Sequence, residues 1–464
     1  MAAKTSETPT WHLAESEPLS DPPEGDRATK NNEEHLPKPE PEPKPELPLS
    51  FLDFLDKQGL SPAEYILDKD HPILRSIRVN PRTASDLTQS QLEACLGTAV
   101  VPVAWLPGFY QFDPSIKIAH LPLYKEGKIY GIDVSSGVAV HALDIKPTDQ
   151  VLDLCCAPGG KLCFIADLQG TGPGTVTGVD IEAHRLATCR SLTKKHKLER
   201  VRLFLADGTT FNVHAPSAVG KHRIYKEVEP VMPRKRPWTE DDPEAKVAPT
   251  NENLTKRVKP FHATRLLRSD PQLQHPDLLY DKVLVDAECS HEGSIFHIQK
   301  FDRVGWDNFE TKFNNPERIR TLESLQQGLI SNGFKMLKPG GIMVYSTCSF
   351  ACQQNESIVA WLLEQCPDAI LEAIPGVDKL PVAPTLAAKF KNVDLRHVVR
   401  FSPRCSQTSG FFAARIRKRA PSGDQASGDQ ASHDQSGDDR PGVPSRIRSS
   451  GAGYPEAIQP TSAK

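Results

Sequence analysis

The sequence predicts an α/β chain built on an open, mostly parallel sheet and flanked by polar arms. Three observations carry that prediction. First, VLDLCCAPGGK at 151–161 sets a short apolar run before a tight loop of small and ring residues, and apolar residues resume at 162–168. This is the pattern of strand, loop and helix. Second, GTVTGVDIEAHRL gives a strand at 175–179 ending in Asp180, and a third apolar run at 201–206 ends in Asp207-Gly208. Third, YDKVLVDAECS and GIMVYSTCS supply a fourth and a fifth strand with a long helical stretch between them. Strands that alternate with helices form parallel sheets, because each crossover helix covers a face of the sheet.

The elements follow in order. Residues 1–49 are polar and end in PKPEPEPKPELP, which favours extended polyproline II and cannot bury a core, so a disordered Pro/Glu-rich arm is expected. FLDFLDKQGLSPAEYI has helical apolar spacing, and IRVN reads as a strand. Residues 50–130 are expected to form a small N-terminal α/β domain, and 131–419 the main domain. DVSSGVAVHALDI predicts a helix capped by Ser135 or Ser136. From 212 to 274 the pattern gives way to MPRKRPW, TEDDPE and KRVKP, read as a low-order insertion with solvated charge runs. NPERIRTLESLQQGLISNGFKML places Leu322, Leu325, Leu329 and Ile330 on one helical face and is expected to stop at Lys338-Pro339-Gly340-Gly341. NESIVAWLLEQ is a further helix, HVVRFSP and SGFFAARI a closing hairpin, and 420–464 a low-complexity, disordered tail.

Composition narrows the classes. No run of about 18 apolar residues occurs, so no membrane span is expected. The first 20 residues lack an apolar core and carry acidic side chains, so neither a secretory signal nor a transit peptide is read there. Ten cysteines at 95, 155, 156, 163, 189, 289, 348, 352, 366 and 405 make no disulfide framework and no CxxC zinc site. The net charge of −3 conceals an uneven distribution: acidic residues outnumber basic ones by 11 to 5 in 1–49 and by 6 to 4 in 420–464. The segment 50–419 therefore carries about +5, compatible with a polyanionic partner.

The chemistry is concentrated at strand ends. The loop after the first strand lacks both GxxxxGK[ST] and a full GxGxxG, so a nucleotide other than a triphosphate or dinucleotide is implied. An acidic residue ending the second strand suits ribose hydroxyls, and strands ending in Asp or a Gly loop suggest S-adenosylmethionine. Cys289 follows the fourth strand, three residues past Asp286, and Cys348 follows the fifth. Neighbouring strand ends share one crevice. Carbon 5 of a pyrimidine is a poor nucleophile until a thiolate adds to carbon 6 and makes it enamine-like. A carboxyl group near ring nitrogen 3, for which Asp286 is placed, would stabilise that adduct, and a base must then remove the carbon-5 proton.

With RSIRVN, IYGIDVSSG, LCCAPGGK, VDIEAHR, ADGT, VLVDAECS, LKPGG, YSTCSF, QNES and SGFFAAR in place, the chain resembles the Nop/Sun family of RNA cytosine-C5 methyltransferases from about Phe51 to Arg417. The resemblance implies a class I S-adenosylmethionine-dependent methyltransferase fold, Rossmann-like with a seven-strand sheet, and an N-terminal RNA-docking domain. It implies Cys348 as the nucleophile, Cys289 as the cysteine that helps release methylated RNA, and Asp286 beside them. The implied cofactor contacts are Cys155, Cys156, Ala157, Pro158, Gly159, Gly160, Lys161, Asp180, Arg185, Asp207 and Asp286. The expected partner is transfer or ribosomal RNA, with no metal and no membrane, for a monomer in nucleus, nucleolus or cytoplasm. One departure stands out: the family reads Asp-Ala-Pro-Cys, whereas Glu288 replaces the rigid proline here. Glu288 either assists proton transfer or impairs release, and impairment would leave a weakly active RNA-binding or ribosome-assembly factor. His291 and His297 are read as surface or packing residues.

Overall fold

A computed structural model describes residues 47–65, 73–216, 261–263, 278–304, 306 and 315–420. The N-terminal part opens with α1 (Leu49–Lys57), followed by β1 (Arg75–Val79), α2 (Gln89–Leu96), β2 (Val101–Pro102), β3 (Phe109–Phe112), α3 (Pro122–Lys125) and β4 (Ile129–Gly131). These strands form a four-stranded sheet in the order β2-β3-β1-β4, with β1 antiparallel to both neighbours. Helix α2 starts at a reciprocal capping box between Thr88 and Gln91. Ile77, Leu92, Leu96, Phe112 and Ile129 bury one face of this sheet. Leu106, Phe109, Tyr130 and Ile132, however, share a core cluster with Val138, Phe164 and Leu284. The predicted boundary at 130 is thus crossed by continuous packing.

The main part comprises α4 (Val134–His141), β5 (Gln150–Asp153), α5 (Gly160–Gln169), β6 (Thr175–Asp180), α6 (Ala183–Lys195), β7 (Val201–Leu205) and β8 (Phe261–Ala263). It continues with β9 (Tyr280–Asp286), α7 (Ile295–Val304), α8 (Pro316–Met336), β10 (Leu337–Thr347), α9 (Glu356–Gln365), β11 (Ala369–Glu372), β12 (Val399–Phe401), α10 (Pro403–Ser406) and β13 (Phe411–Lys418). Among the described residues these strands make a nine-stranded sheet in the order β11-β13-β10-β9-β5-β6-β7-β8, with β12 beside β13. The run from β8 to β10 is parallel, and β13 is antiparallel to β10. The chain moves outward from β5 through β6 and β7, then returns across β5 to place β9 on its other side. That reversal is the switch point at which an open α/β sheet parts its crossovers and leaves a crevice.

The five predicted parallel strands, the hairpin and the helices are all present, and the corrections are local. Among the described residues the sheet has nine strands rather than the seven expected: the two that the sequence did not give are the short β8 and β11, and β8 lies inside the stretch read as an insertion. The helix stop expected at Lys338-Pro339-Gly340-Gly341 is present, but the stretch itself is strand. Helix α8 closes at Met336, and these residues begin β10, where the pairing with β9 shifts register between Leu337 and Ile342. Gly340, at φ +79°, absorbs the irregularity. Helix α4 is capped by Asp133, whose carboxylate accepts from the Ser135 amide at 2.8 Å, rather than by either serine. The readings for 1–46, for PRKRP and KRVKP, and for 421–464 lie outside the described residues.

Candidate active site

Strand β5 delivers the loop 155–161 to the crevice. Gly159, at φ +109°, takes a left-handed conformation that L side chains avoid, and α5 begins directly after it. The resulting cleft, about 180 Å³, is lined by residues 155–161, Asp286, and four residues of the β4–α4 region: Gly131, Ile132, Asp133 and Ser136. Asp180 is buried beneath the loop. One of its oxygens accepts from the Ala157 amide at 3.1 Å and the other from the Glu182 amide at 3.0 Å. Arg185 donates to the Ala157 carbonyl at 3.0 Å. Asp180 and Arg185 therefore brace the loop from behind. Asp207 is exposed, closes a local turn on Thr209 at 2.8 Å, and is not among the cleft-lining residues.

These residues fit a nucleoside carrying a charged sulfonium. A Cβ built on Gly160 would meet nothing closer than 3.9 Å, so the start of α5 is open to close approach, whereas Asp180 and Arg185 do not line the cleft. Asp153, at the end of β5, is fully buried, with neither oxygen hydrogen-bonded among the described residues. Burial and the nearby Asp286 push its carboxyl up to about 8.

Asp286 joins this cleft to the next strand ends. It accepts from the Lys161 ammonium at 2.7 Å with one oxygen and from the Ser346 hydroxyl at 2.7 Å with the other. Lys161 also reaches Ser136 at 3.3 Å. Burial works against the Lys161 charge, yet Asp286 outweighs it and holds the ammonium above its ordinary value. Ser346 pairs directly with Asp286 across β10 and β9. Because that register is parallel, the loop after each strand emerges on the same side, and the two cysteines meet. Cys289 Sγ lies 3.4 Å from Cys348 Sγ.

His291 completes the cluster, with Nδ1 3.0 Å from Cys348 Sγ and 3.6 Å from Cys289 Sγ. This corrects the sequence reading, which left His291 among surface and packing residues. His297 is exposed, its ring 5.9 Å from that of His291. His291 sits at φ +62°, a left-handed conformation costing a non-glycine residue about 1–2 kcal/mol. Burial disfavours the charged imidazole, but the Cys348 sulfur and the carboxylates of Glu292 and Glu288 together raise its pKa. The Cys348 thiol is itself pushed well up by its contact with Cys289 and by burial, with His291 opposing.

The chain matches, over residues 140–222 and 245–417, the family described as 16S rRNA methyltransferase RsmB/F. It belongs to that family. S-adenosylmethionine is the family's methyl donor, and the cleft beside β5 is where it fits. The ribosomal RNA small subunit methyltransferase F of Klebsiella pneumoniae (strain 342) is 25% identical over 367 residues, 78% of this chain and 61% of that protein. The chain thus spans less than two thirds of this relative's length. The same fold is found in a methyltransferase homolog protein from Pyrococcus horikoshii, at TM-score 0.51 and 23% identity over 80% of this chain and 100% of that one. It is also found in NSun6 from Pyrococcus horikoshii with SFG, at TM-score 0.53 and 17% identity over 80% and 98%.

In this RsmB/F-family chain the turn after Cys289 is locked to the turn after Cys348. The buried Glu292 carboxylate accepts from the Ser349 hydroxyl and from the Phe350 and Ala351 amides, both at 3.0 Å. A Cβ on Gly293 would stand 2.6 Å from the Cys348 carbonyl oxygen, so only glycine lets the turns approach this closely. The QNES residues form the floor. Gln354 accepts from the Ser290 amide at 3.0 Å, and Asn355 accepts from Thr347 at 2.6 Å while donating to the Ser349 carbonyl at 2.8 Å. Glu356 holds Arg400, which donates to the Phe350 carbonyl at 2.9 Å. Glu288 is exposed, and its backbone carbonyl accepts from Gln326 at 2.8 Å. The sequence reading did not assign His291, Glu292, Ser136 or Asp133 to the site, although the quoted motifs contain or adjoin them.

Proposed function

We propose that this chain transfers a methyl group from S-adenosylmethionine to carbon 5 of a cytosine in transfer or ribosomal RNA, through a covalent bond from Cys348 to carbon 6. The observation that carries this reading is the placement of the Cys348 sulfur against His291 and Cys289, on the strand end paired with Asp286. A methyl donor alone does not call for two adjoining thiols. Covalent activation of a pyrimidine uses one thiol as nucleophile and gives a second the carbon-5 proton to remove.

When bound, the cofactor supplies an electrophilic methyl group. The chain's residues do the rest. His291 Nδ1 takes the thiol proton of Cys348, and the sulfur adds to carbon 6. As the sulfur adds, the Lys161 ammonium passes a proton through the Asp286 carboxyl to nitrogen 3, and that proton returns by the same route when the ring double bond re-forms. Carbon 5, now enamine-like, takes the methyl group. Cys289, having given its own proton to solvent, takes the carbon-5 proton, the double bond re-forms, the bond from Cys348 to carbon 6 breaks, and His291 returns its proton to the freed Cys348 sulfur. The buried floor excludes water from these steps, and a base held in a stem must first be unstacked to enter.

The test is a denaturing-gel assay for protein–RNA adduct in cells expressing the wild type, Cys289→Ala, and the Cys289→Ala, Cys348→Ala pair. Cys289→Ala is expected to accumulate an adduct that Cys348→Ala abolishes, and sequencing the trapped RNA names the cytosine. Absence of adduct from every variant, with S-adenosylmethionine binding intact, would replace this reading with a non-catalytic RNA-binding factor.

A further inference from the structure

We infer that Cys289, His291 and Cys348 together bind one thiophilic divalent cation of the zinc class, and that the bound ion blocks the Cys348 sulfur. The two sulfurs and the imidazole nitrogen all lie within 4.8 Å of one another. Their separations, 3.4, 3.0 and 3.6 Å, approach the edges of about 3.5–3.8 Å expected for a tetrahedron with metal–sulfur bonds near 2.3 Å and metal–nitrogen bonds near 2.0 Å. Small side-chain adjustments close the difference. Three ligands with the fourth position left toward the substrate is the arrangement of an open zinc site.

Ligand type and charge point the same way. Two thiolates and a neutral imidazole select a soft ion over magnesium or calcium, which prefer oxygen donors. Two thiolates also neutralise a dication, so the complex adds no net charge to a largely buried place. Each thiol releases its proton to solvent as its sulfur bonds the ion. The ligands are preorganised: the Gly293 amide donates to the Cys348 carbonyl at 3.0 Å, and Glu292 ties the two turns together. The other close thiol pair, Cys156 and Cys189 at 3.9 Å, has no third donor in such a cluster among the described residues. The sequence carries no zinc signature because the ligands come from two strand ends, with 57 positions between His291 and Cys348.

The inference shares its three side chains with the proposed reaction but does not rest on it, and its test needs no RNA. Metal-free full-length protein, kept reduced with a phosphine, is titrated with cobalt(II). One equivalent is expected to produce thiolate-to-cobalt charge-transfer absorption and the visible bands of a tetrahedral ion, both displaced by zinc. Cys289→Ala and Cys348→Ala should each weaken binding by about tenfold or more, and His291→Ala should remove the nitrogen ligand's contribution. Bound S-adenosylmethionine reports that each variant is folded. In parallel, one equivalent of zinc should suppress iodoacetamide alkylation of Cys348, read by peptide mass spectrometry, and a chelator should restore it. A cobalt spectrum that persists in the Cys289→Ala, Cys348→Ala pair, no charge-transfer band in the wild type, or unchanged Cys348 alkylation would each overturn the inference.

Discussion

Asp153 ends the central strand β5 with a carboxyl that burial and Asp286 raise to about 8 from an ordinary 3.8. The folded chain thus keeps a proton that the unfolded chain releases over that range. The contribution of this group to stability is full below about pH 4 and is lost as pH rises toward about 8. Asp153→Asn removes the titration, so urea midpoints measured across that window should lose a slope of up to about 1.4 kcal/mol per pH unit. Parallel profiles for wild type and variant would mean that the native carboxyl is already charged. At the same scale, His291 shows how much one residue decides: a strained backbone angle is what turns its ring toward Cys348.

At the scale of elements, the site is two turns held on a common floor. Helix α9 supplies that floor through Glu356, whose side chain is fully buried against Arg400, itself 4% exposed. Removing one partner of such a pair leaves an uncompensated buried charge. Glu356→Ala should therefore cost about 3–5 kcal/mol in denaturant unfolding, with Glu356→Gln costing less. An effect under about 1 kcal/mol would show that water reaches Arg400 once Glu356 is gone. The proline-to-glutamate departure at 288 bears little on this floor, because Glu288 points to solvent and Gln326 and Gln354 secure the backbone around it.

At the scale of the whole molecule, the N-terminal part is built into the site. Phe51, Leu55, Tyr65 and Ile73 share a core with Ile295, Ile298 and Phe350, and the Tyr65 hydroxyl donates to the Glu292 carbonyl at 2.7 Å. Tyr65→Phe should lose about 1 kcal/mol of stability. It should also slow adduct formation in the Cys289→Ala background, because the Glu292 turn loses an anchor. Unchanged adduct formation alongside the stability loss would confine Tyr65 to packing.

The alternation of strands and helices, the loop 155–161, both cysteines and Asp286 were all legible in the sequence, since strand ends and glycine turns are local patterns and parallel topology sends successive ends to one crevice. Three things required the tertiary structure. The contact of His291 with Cys348 spans 57 positions and depends on a left-handed turn. Glu292 reads as one more surface carboxylate until the Cys348 turn folds over it. Proline and two glycines at the beginning of β10 mark the helix stop in the sequence, but only the pairing of Leu337 with Tyr280 makes the stretch a strand. Local sequence encodes which elements form and where they end. The side chains that face one another across those ends are set by register, through hydrogen bonds that exist only once the sheet is assembled.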